Sequence, residues 1–289
     1  MNDKIKLNLY AFITVFLWAS AFPLTKVIEQ QFTPNSLGLI RCGVAALLLI
    51  AMGLCTGIRK PFCKKDLLYF VASGGMGFTL YMVFFNTGLL TLTSASSSVI
   101  IAATPILTAM AAYKLYGEKI KALGWIAIAV AFIGVVILLF WNGILSVNIG
   151  LLWTLGAALV FCGYNILNRK LTALGYTSLE IVTYSVVSGT ILLLIFLPQT
   201  VSQVASAGLV DIIVAIYLGI MPSAISYILW AKAISLAEKT SEVTNYMFIT
   251  PLLSAIMGFF LLREVPDMGT FIGGAVIIAG VVIFSLKGK

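Results

Sequence analysis

Ten stretches of roughly twenty residues, each almost free of charge, recur along this chain, and their length decides most of what it can fold into. They run over 8–27, 35–55, 67–88, 94–115, 121–141, 148–168, 179–197, 210–231, 242–262 and 268–286. About twenty apolar residues is what a helix needs to cross the hydrocarbon of a bilayer, and it is far more than a barrel strand uses. In hydrocarbon every backbone amide must be bonded within the protein, so runs of this length read as helices. Composition agrees, because 61% of the 289 residues are hydrophobic and 10% are charged, too few to cover a soluble core. The expected fold is an all-α membrane protein of ten transmembrane helices with no soluble domain.

Lys and Arg in short loops are retained on the cytoplasmic side, which orients such a chain. With the N-terminus inside, the inner segments hold fifteen of the eighteen cations, among them Lys60, Lys119 and Arg169, and only Lys26, Arg41 and Arg263 fall outside. The expectation is a multi-pass protein of the bacterial plasma (inner) membrane with both termini cytoplasmic. The net charge of +8 then reports topology. No basic cluster carries interleaved aromatics on a soluble face, so no nucleic-acid partner is expected. The first run is too long for the core of a cleaved signal peptide. Cys42, Cys55, Cys63 and Cys162 form no CxxC, and neither a disulfide nor a metal or other cofactor is expected.

The stretch "ATPILTAMAAYKLYGEK" from Ala103 has a near copy in "ITPLLSAIMGFFLLREV" from Ile249. The shift that carries Pro105 onto Pro251 also aligns Tyr81 with Tyr227, Thr104 with Thr250, Glu118 with Glu264 and Gly134 with Gly280. The chain reads as a tandem duplication, 1–145 and 146–289, with five spans in each copy. Five is odd, so the second copy enters the membrane from the opposite side and the halves are inverted repeats. Such halves can exchange conformations around a site near the midplane, which gives a carrier its two access states.

The same two stretches, extended to "TPILTAMAAYKLYGEKIKALGWIAIAVAFIGVV" and "TPLLSAIMGFFLLREVPDMGTFIGGAVIIAGVV", resemble the repeated signature of the EamA family of the drug/metabolite transporter superfamily. "LWASAFPLTK" and "SLGLIRCGVAALLL" resemble that family's first two spans. The resemblance covers nearly the whole chain and implies a secondary carrier for small metabolites, often an exporter of amino acids or their relatives, and not an enzyme. All ten acids lie at span ends or in loops and histidine is absent. This departs from the small multidrug pumps of the superfamily, which use a buried glutamate, so a lipophilic cation is not the expected cargo.

Polar groups within the runs mark the candidate cavity. They are Trp18, Ser20, Arg41, Tyr81, Asn86, Ser97, Tyr164, Asn165, Ser223, Tyr227, Lys232, Asn245 and Tyr246, concentrated on spans one, three, four, six, eight and nine. Neutral polar groups in membranes bond between helices as often as they bind ligands. Arg41, roughly 9 Å into its span at 1.5 Å per residue, either snorkels to the headgroups, the expected outcome, or forms a cavity wall that attracts carboxylates. Lys232 is expected to snorkel. Pro105 and Pro251 should free the carbonyls of Ile101 and Met247, and with Pro23 and Pro222 they are candidate bend points. Glu118 and Glu264 are expected to favour the N-terminus of the following helix. Spans five and ten, rich in glycine, are expected to pack at the periphery. The expected cargo is a small zwitterion or weak anion, above all an amino acid or derivative, leaving the cytoplasm. Uptake or facilitated permeation of another small polar metabolite is the alternative, and a channel a more remote one. Proton or ion coupling, and monomer against homodimer, stay open.

Overall fold

The computed structural model describes residues 3–58, 60–117, 119–141, 148–236 and 245–287. Among them all regular structure is helical: α1 (Asp3–Ile28), α2 (Pro34–Thr56), α3 (Lys64–Leu89), α4 (Ser94–Tyr116), α5 (Ala122–Phe140), α6 (Ile149–Ala173), α7 (Ser178–Ala205), α8 (209–236), α9 (Thr250–Leu262) and α10 (Met268–Lys287). Seven of them are long and apolar enough to cross a membrane, while α5, α9 and α10 carry shorter apolar stretches. Large apolar side chains face outward, such as Leu54 at 79% and Phe260 at 71% exposure, an exterior that fits lipid and would aggregate in water.

Helix starts follow local chemistry. Thr33 and Thr93 accept the backbone N–H groups of Ser36 and Ser96, Asn148 accepts that of Gly150, and Thr177 forms a reciprocal box with Glu180. Asp267 accepts from Thr270 N at 2.7 Å and so caps α10. Glu264 does not take the expected place at the helix that follows it. Its Oε2 accepts from Ser94 N at 2.8 Å, at the start of α4, and its Oε1 pairs with Lys26 at 3.1 Å. The α4 N-terminus leaves its first N–H groups without intrahelical partners, so a carboxylate from the other half of the chain satisfies one of them. Glu118 lies outside the described residues.

The helix α7 reaches Ala205, beyond the expected end at 197. Its turn tightens over Leu194–Phe196 and restarts with Pro198 in the new first turn, where a missing N–H costs nothing. The extension places Gln203 to accept from Thr33 N at 3.1 Å.

Irregular turns in α3, α4 and α8 and at the entry to α9 recur at the spacing of the sequence repeat. α3 holds a π-helical turn over Gly75–Leu80 and α8 one over Met221–Ile225. α4 breaks at Ala103, just before Thr104-Pro105, and a 3-10 stretch over Asn245–Ile249 leads into α9 just before Thr250-Pro251. Both α4 and α9 end on a left-handed residue, Gly117 with φ 67° and Arg263 with φ 57°. Pro23 lies inside α1 without interrupting it.

Helix pairing has the same regularity. α1 packs on α8 and α9 as α6 packs on α3 and α4, α2 packs on α7, and α5 packs on α10. In the α5–α10 pair a Cβ at Gly134 would stand 2.7 Å from Gly273 O, and one at Gly280 2.7 Å from Ala131 N, so glycine is what allows this approach. Thr91 Oγ1 donates to Asn148 Oδ1, Lys26 Nζ donates to Leu92 O, and Gln31 Nε2 donates to Gln203 O, which gathers several turns at one end of the bundle. At the opposite end Lys60 N donates to Glu180 Oε1 and the Arg169 guanidinium lies 4.3 Å over the Tyr116 ring.

Candidate functional site

The irregular helices meet around a cavity that stays partly open to its surroundings. Its wall draws on α1 (Trp18, Ala21, Phe22), α2 (Arg41), α3 (Tyr81, Met82, Phe85), α4 (Ser98, Ile101, Ala102), α6 (Phe161), α8 (Pro222, Tyr227) and the entry to α9 (Met247, Thr250).

The backbone irregularities survive because side chains repair them. Pro222 has no N–H to offer the carbonyl four residues back, Leu218 O, and the Ser223 hydroxyl donates to it instead at 2.8 Å. Met221 O accepts both the backbone N–H and the hydroxyl of Ser226, the latter at 2.6 Å, and Trp18 Nε1 donates to Pro222 O at 3.2 Å. In α4 the Thr104 hydroxyl donates to Ile101 O at 2.6 Å, the carbonyl that Pro105 frees. That carbonyl is therefore held within its own helix rather than left for a ligand.

Six of the fifteen lining residues are aromatic. Trp18 meets Tyr227 edge-on at 5.6 Å, Phe22 meets Phe85 at 5.1 Å, and Tyr81 lies 5.6 Å from Phe85 and 5.1 Å from Phe161. Arg41 sits among them at 3% exposure and does not snorkel. Its Nε and Nη2 donate to Ser223 Oγ and its Nη1 to Thr25 Oγ1, all at 3.4 Å, and its Cζ lies 5.7 Å from the Phe85 ring centre. Two hydroxyls and an aromatic face hold the guanidinium at this depth, but they carry no charge to oppose its own. The Thr250 hydroxyl, also in the wall, is buried and has no hydrogen-bond partner among the described residues.

The structure sorts the polar residues singled out by sequence. Trp18, Arg41, Tyr81 and Tyr227 line the cavity, and Ser223 stands behind the wall holding Arg41. The remaining described ones lie off it. Ser20 donates to Leu17 O and meets Tyr217 Oη, Asn86 donates to Pro34 O, and Asn165 donates to Thr108 Oγ1. Ser97 is wholly buried beside the lining residue Ser98, Tyr164 packs against Phe78 and Phe161, and Tyr246 packs with Leu7, Ala11 and Trp230. Lys232 is exposed. The side chain of Asn245 lies outside the described residues. Sequence reasoning missed Phe22, Phe85, Ile101 and Phe161, which carry no polar mark; only their neighbourhood to irregular turns sets them apart.

The Bacillus subtilis protein "Uncharacterized transporter YdfC" is 28% identical over 95% of this chain and 89% of its own length. The "Probable terminal-alkyne amino-acid exporter" of Streptantibioticus cattleyicolor is 30% identical over 95% of this chain and 92% of its own. A protein of Rickettsia prowazekii named "S-adenosylmethionine uptake transporter" is 27% identical over 65% of this chain and 62% of its own. A crystal structure superposes with a TM-score of 0.66 at 18% identity, over 98% of this chain and 97% of that one, a likeness of fold alone. The sequence model of the EamA-like transporter family matches twice, over residues 5–140 and again over 148–286, and with nearly the whole length accounted for in this way the chain belongs to the EamA-like transporter family.

Proposed function

We propose that this EamA transporter is an alternating-access secondary carrier of ten spans, in two inverted halves at 1–145 and 146–289, that moves amino acids or derivatives out of the cell across the plasma membrane. The observation that carries the reading is the place of the cavity, at the meeting point of two π-helical turns, the break in α4 and the 3-10 entry to α9, which fall at positions matched by the sequence repeat. Helices already irregular at these points can absorb the backbone changes that a rocking motion requires. The double match of the family model and the reciprocal helix pairing support the inverted halves.

One end of the cavity is tied shut. Ser254 Oγ donates to Ser94 O at 3.0 Å, and Glu264 joins Ser94 N to Lys26. By the positive-inside count this is the outer end, and in the proposed cycle these ties hold it closed to the outside. Export requires these α4–α9 ties to part while their counterparts at the inner end form. An amino-acid cargo is supported by the cationic and aromatic wall and by the printed name of the Streptantibioticus relative; the Rickettsia relative's name points to uptake, so direction rests on experiment.

Counterflow in proteoliposomes tests the carrier. Vesicles preloaded with unlabelled phenylalanine or leucine should take up the labelled amino acid several-fold faster than unloaded ones, because a carrier returns loaded. Uptake indifferent to preloading and linear in concentration would mark a channel instead.

A further inference from the structure

Arg41 is the feature of the cavity that needs an explanation. A charge at 3% exposure is costly unless an opposite charge meets it, and no ion pair joins it to a carboxylate among the described residues. Its three bonds to Thr25 and Ser223 are long, and a guanidinium has five N–H donors in a planar fork suited to a carboxylate. Among the described residues no acid lines the cavity either, so a ligand's ammonium meets aromatic faces and neutral hydroxyls there. The unpartnered Thr250 hydroxyl can donate or accept, and so serves an amino, hydroxyl or oxo group alike. The rest of the wall is apolar.

On the reading of this cavity as the transport site, we infer that Arg41 is the anchor for the carboxylate of a monocarboxylic acid with an apolar or aromatic body, and that the amino group on the adjacent carbon is dispensable. The bound anion completes the ion pair that the described residues do not supply, the rings take the body, and Thr250 takes whatever polar group the adjacent carbon carries. The ligand class is then 2-amino, 2-oxo and 2-hydroxy acids together. Free amines and amino-acid amides are excluded, because each would bring a positive charge to Arg41 without an anion.

The test is binding of four probes to the purified full chain in nanodiscs, followed through tryptophan fluorescence and melting temperature. Phenylalanine and phenylpyruvate should bind within about tenfold of each other, and phenylalaninamide and phenethylamine at least about 30-fold more weakly, as expected when a buried charge loses its partner. Arg41→Gln should weaken both acids by a similar factor, and Arg41→Lys, which keeps the charge but loses the fork, by less. The melting temperature of each ligand-free variant reports whether it folded. Equal binding of acid and amide, rejection of phenylpyruvate alongside tight phenylalanine, or no binding of either acid overturns the inference. Counterflow separates it from the carrier reading. Acids that bind in this order without counterflow leave the anchor standing and sink the carrier, whereas counterflow driven only by solutes lacking a carboxylate does the reverse.

Discussion

The π-helical turns of α3 and α8 are matched by the sequence repeat and share a backbone, yet they meet opposite neighbours. In α3 the turn passes Gly77, where a Cβ would stand 2.2 Å from the Tyr164 ring, so a tyrosine of α6 fills the place a side chain would take. In α8 the matching position is Ser223, whose hydroxyl repairs the Pro222 break and accepts from Arg41. The repeat counterpart of Tyr164 is Trp18, which donates to Pro222 O, and that of Arg41 is Val187, packed in the apolar core. One turn is therefore sealed by a ring and the other supports a buried charge. The two turns share a backbone distortion, and the difference in side chains leaves the buried charge on one side of the cavity only.

Altering the sealed turn should have the largest effect. Gly77→Ala forces the Tyr164 ring or the α3 backbone to shift, and overpacking of this kind costs about 1–3 kcal/mol. The melting temperature in detergent should fall by several degrees and recover in part when Tyr164→Ala is added; an unchanged melting temperature would show that the turn has room. Ser223→Ala acts on the other turn, where it leaves Leu218 O without its repair and Arg41 with Thr25 as its remaining protein partner. A cost of about 1–3 kcal/mol for an orphaned buried group is expected, with weaker binding of phenylalanine. If stability falls and binding does not, Ser223 serves the backbone alone.

Two smaller effects concern the tie at the Lys26 end. Glu264→Gln keeps an acceptor for Ser94 N but ends the Lys26 ion pair, for about 1 kcal/mol. It should also raise labelling of a cysteine placed in the cavity from that end. Glu29 sits beside the tie, where partial burial lifts its carboxyl above the ordinary value, the Lys26 charge opposes the lift and Glu264 adds to it. A carboxyl raised in the folded state holds its proton to higher pH than in the unfolded chain, so its contribution is full at low pH and is lost as pH rises through the folded value. Glu29→Gln should therefore melt slightly higher than the parent at pH 8, with the gap closing towards pH 4. A gap that widened on acidification would reverse the assignment.

The all-helical, membrane-spanning character was open to reading because the length of an apolar run is a property of the sequence itself. The cavity was not. Its wall is largely Phe22, Phe85, Ile101, Phe161 and their like, which a sequence cannot distinguish from core, whereas polar marks such as Ser20, Asn86 and Asn165 meet Tyr217 Oη, Pro34 O and Thr108 Oγ1 on neighbouring helices. Arg41 was visible as a cation, but its depth depends on Ser223, a partner 182 positions away that hydropathy does not reveal. Glu264 followed the same pattern, since its partner Ser94 belongs to the other half of the chain.

Inversion of the halves is tested most directly by placing cysteines at positions separated by the repeat. In a cysteine-free background, Lys119→Cys and Val265→Cys occupy repeat-matched positions, both exposed. In intact cells a membrane-impermeant maleimide should label Val265→Cys and spare Lys119→Cys until the membrane is opened. Labelling of both from the same side would mean that the two halves run in the same direction, and the account of the exchange between access states would fail.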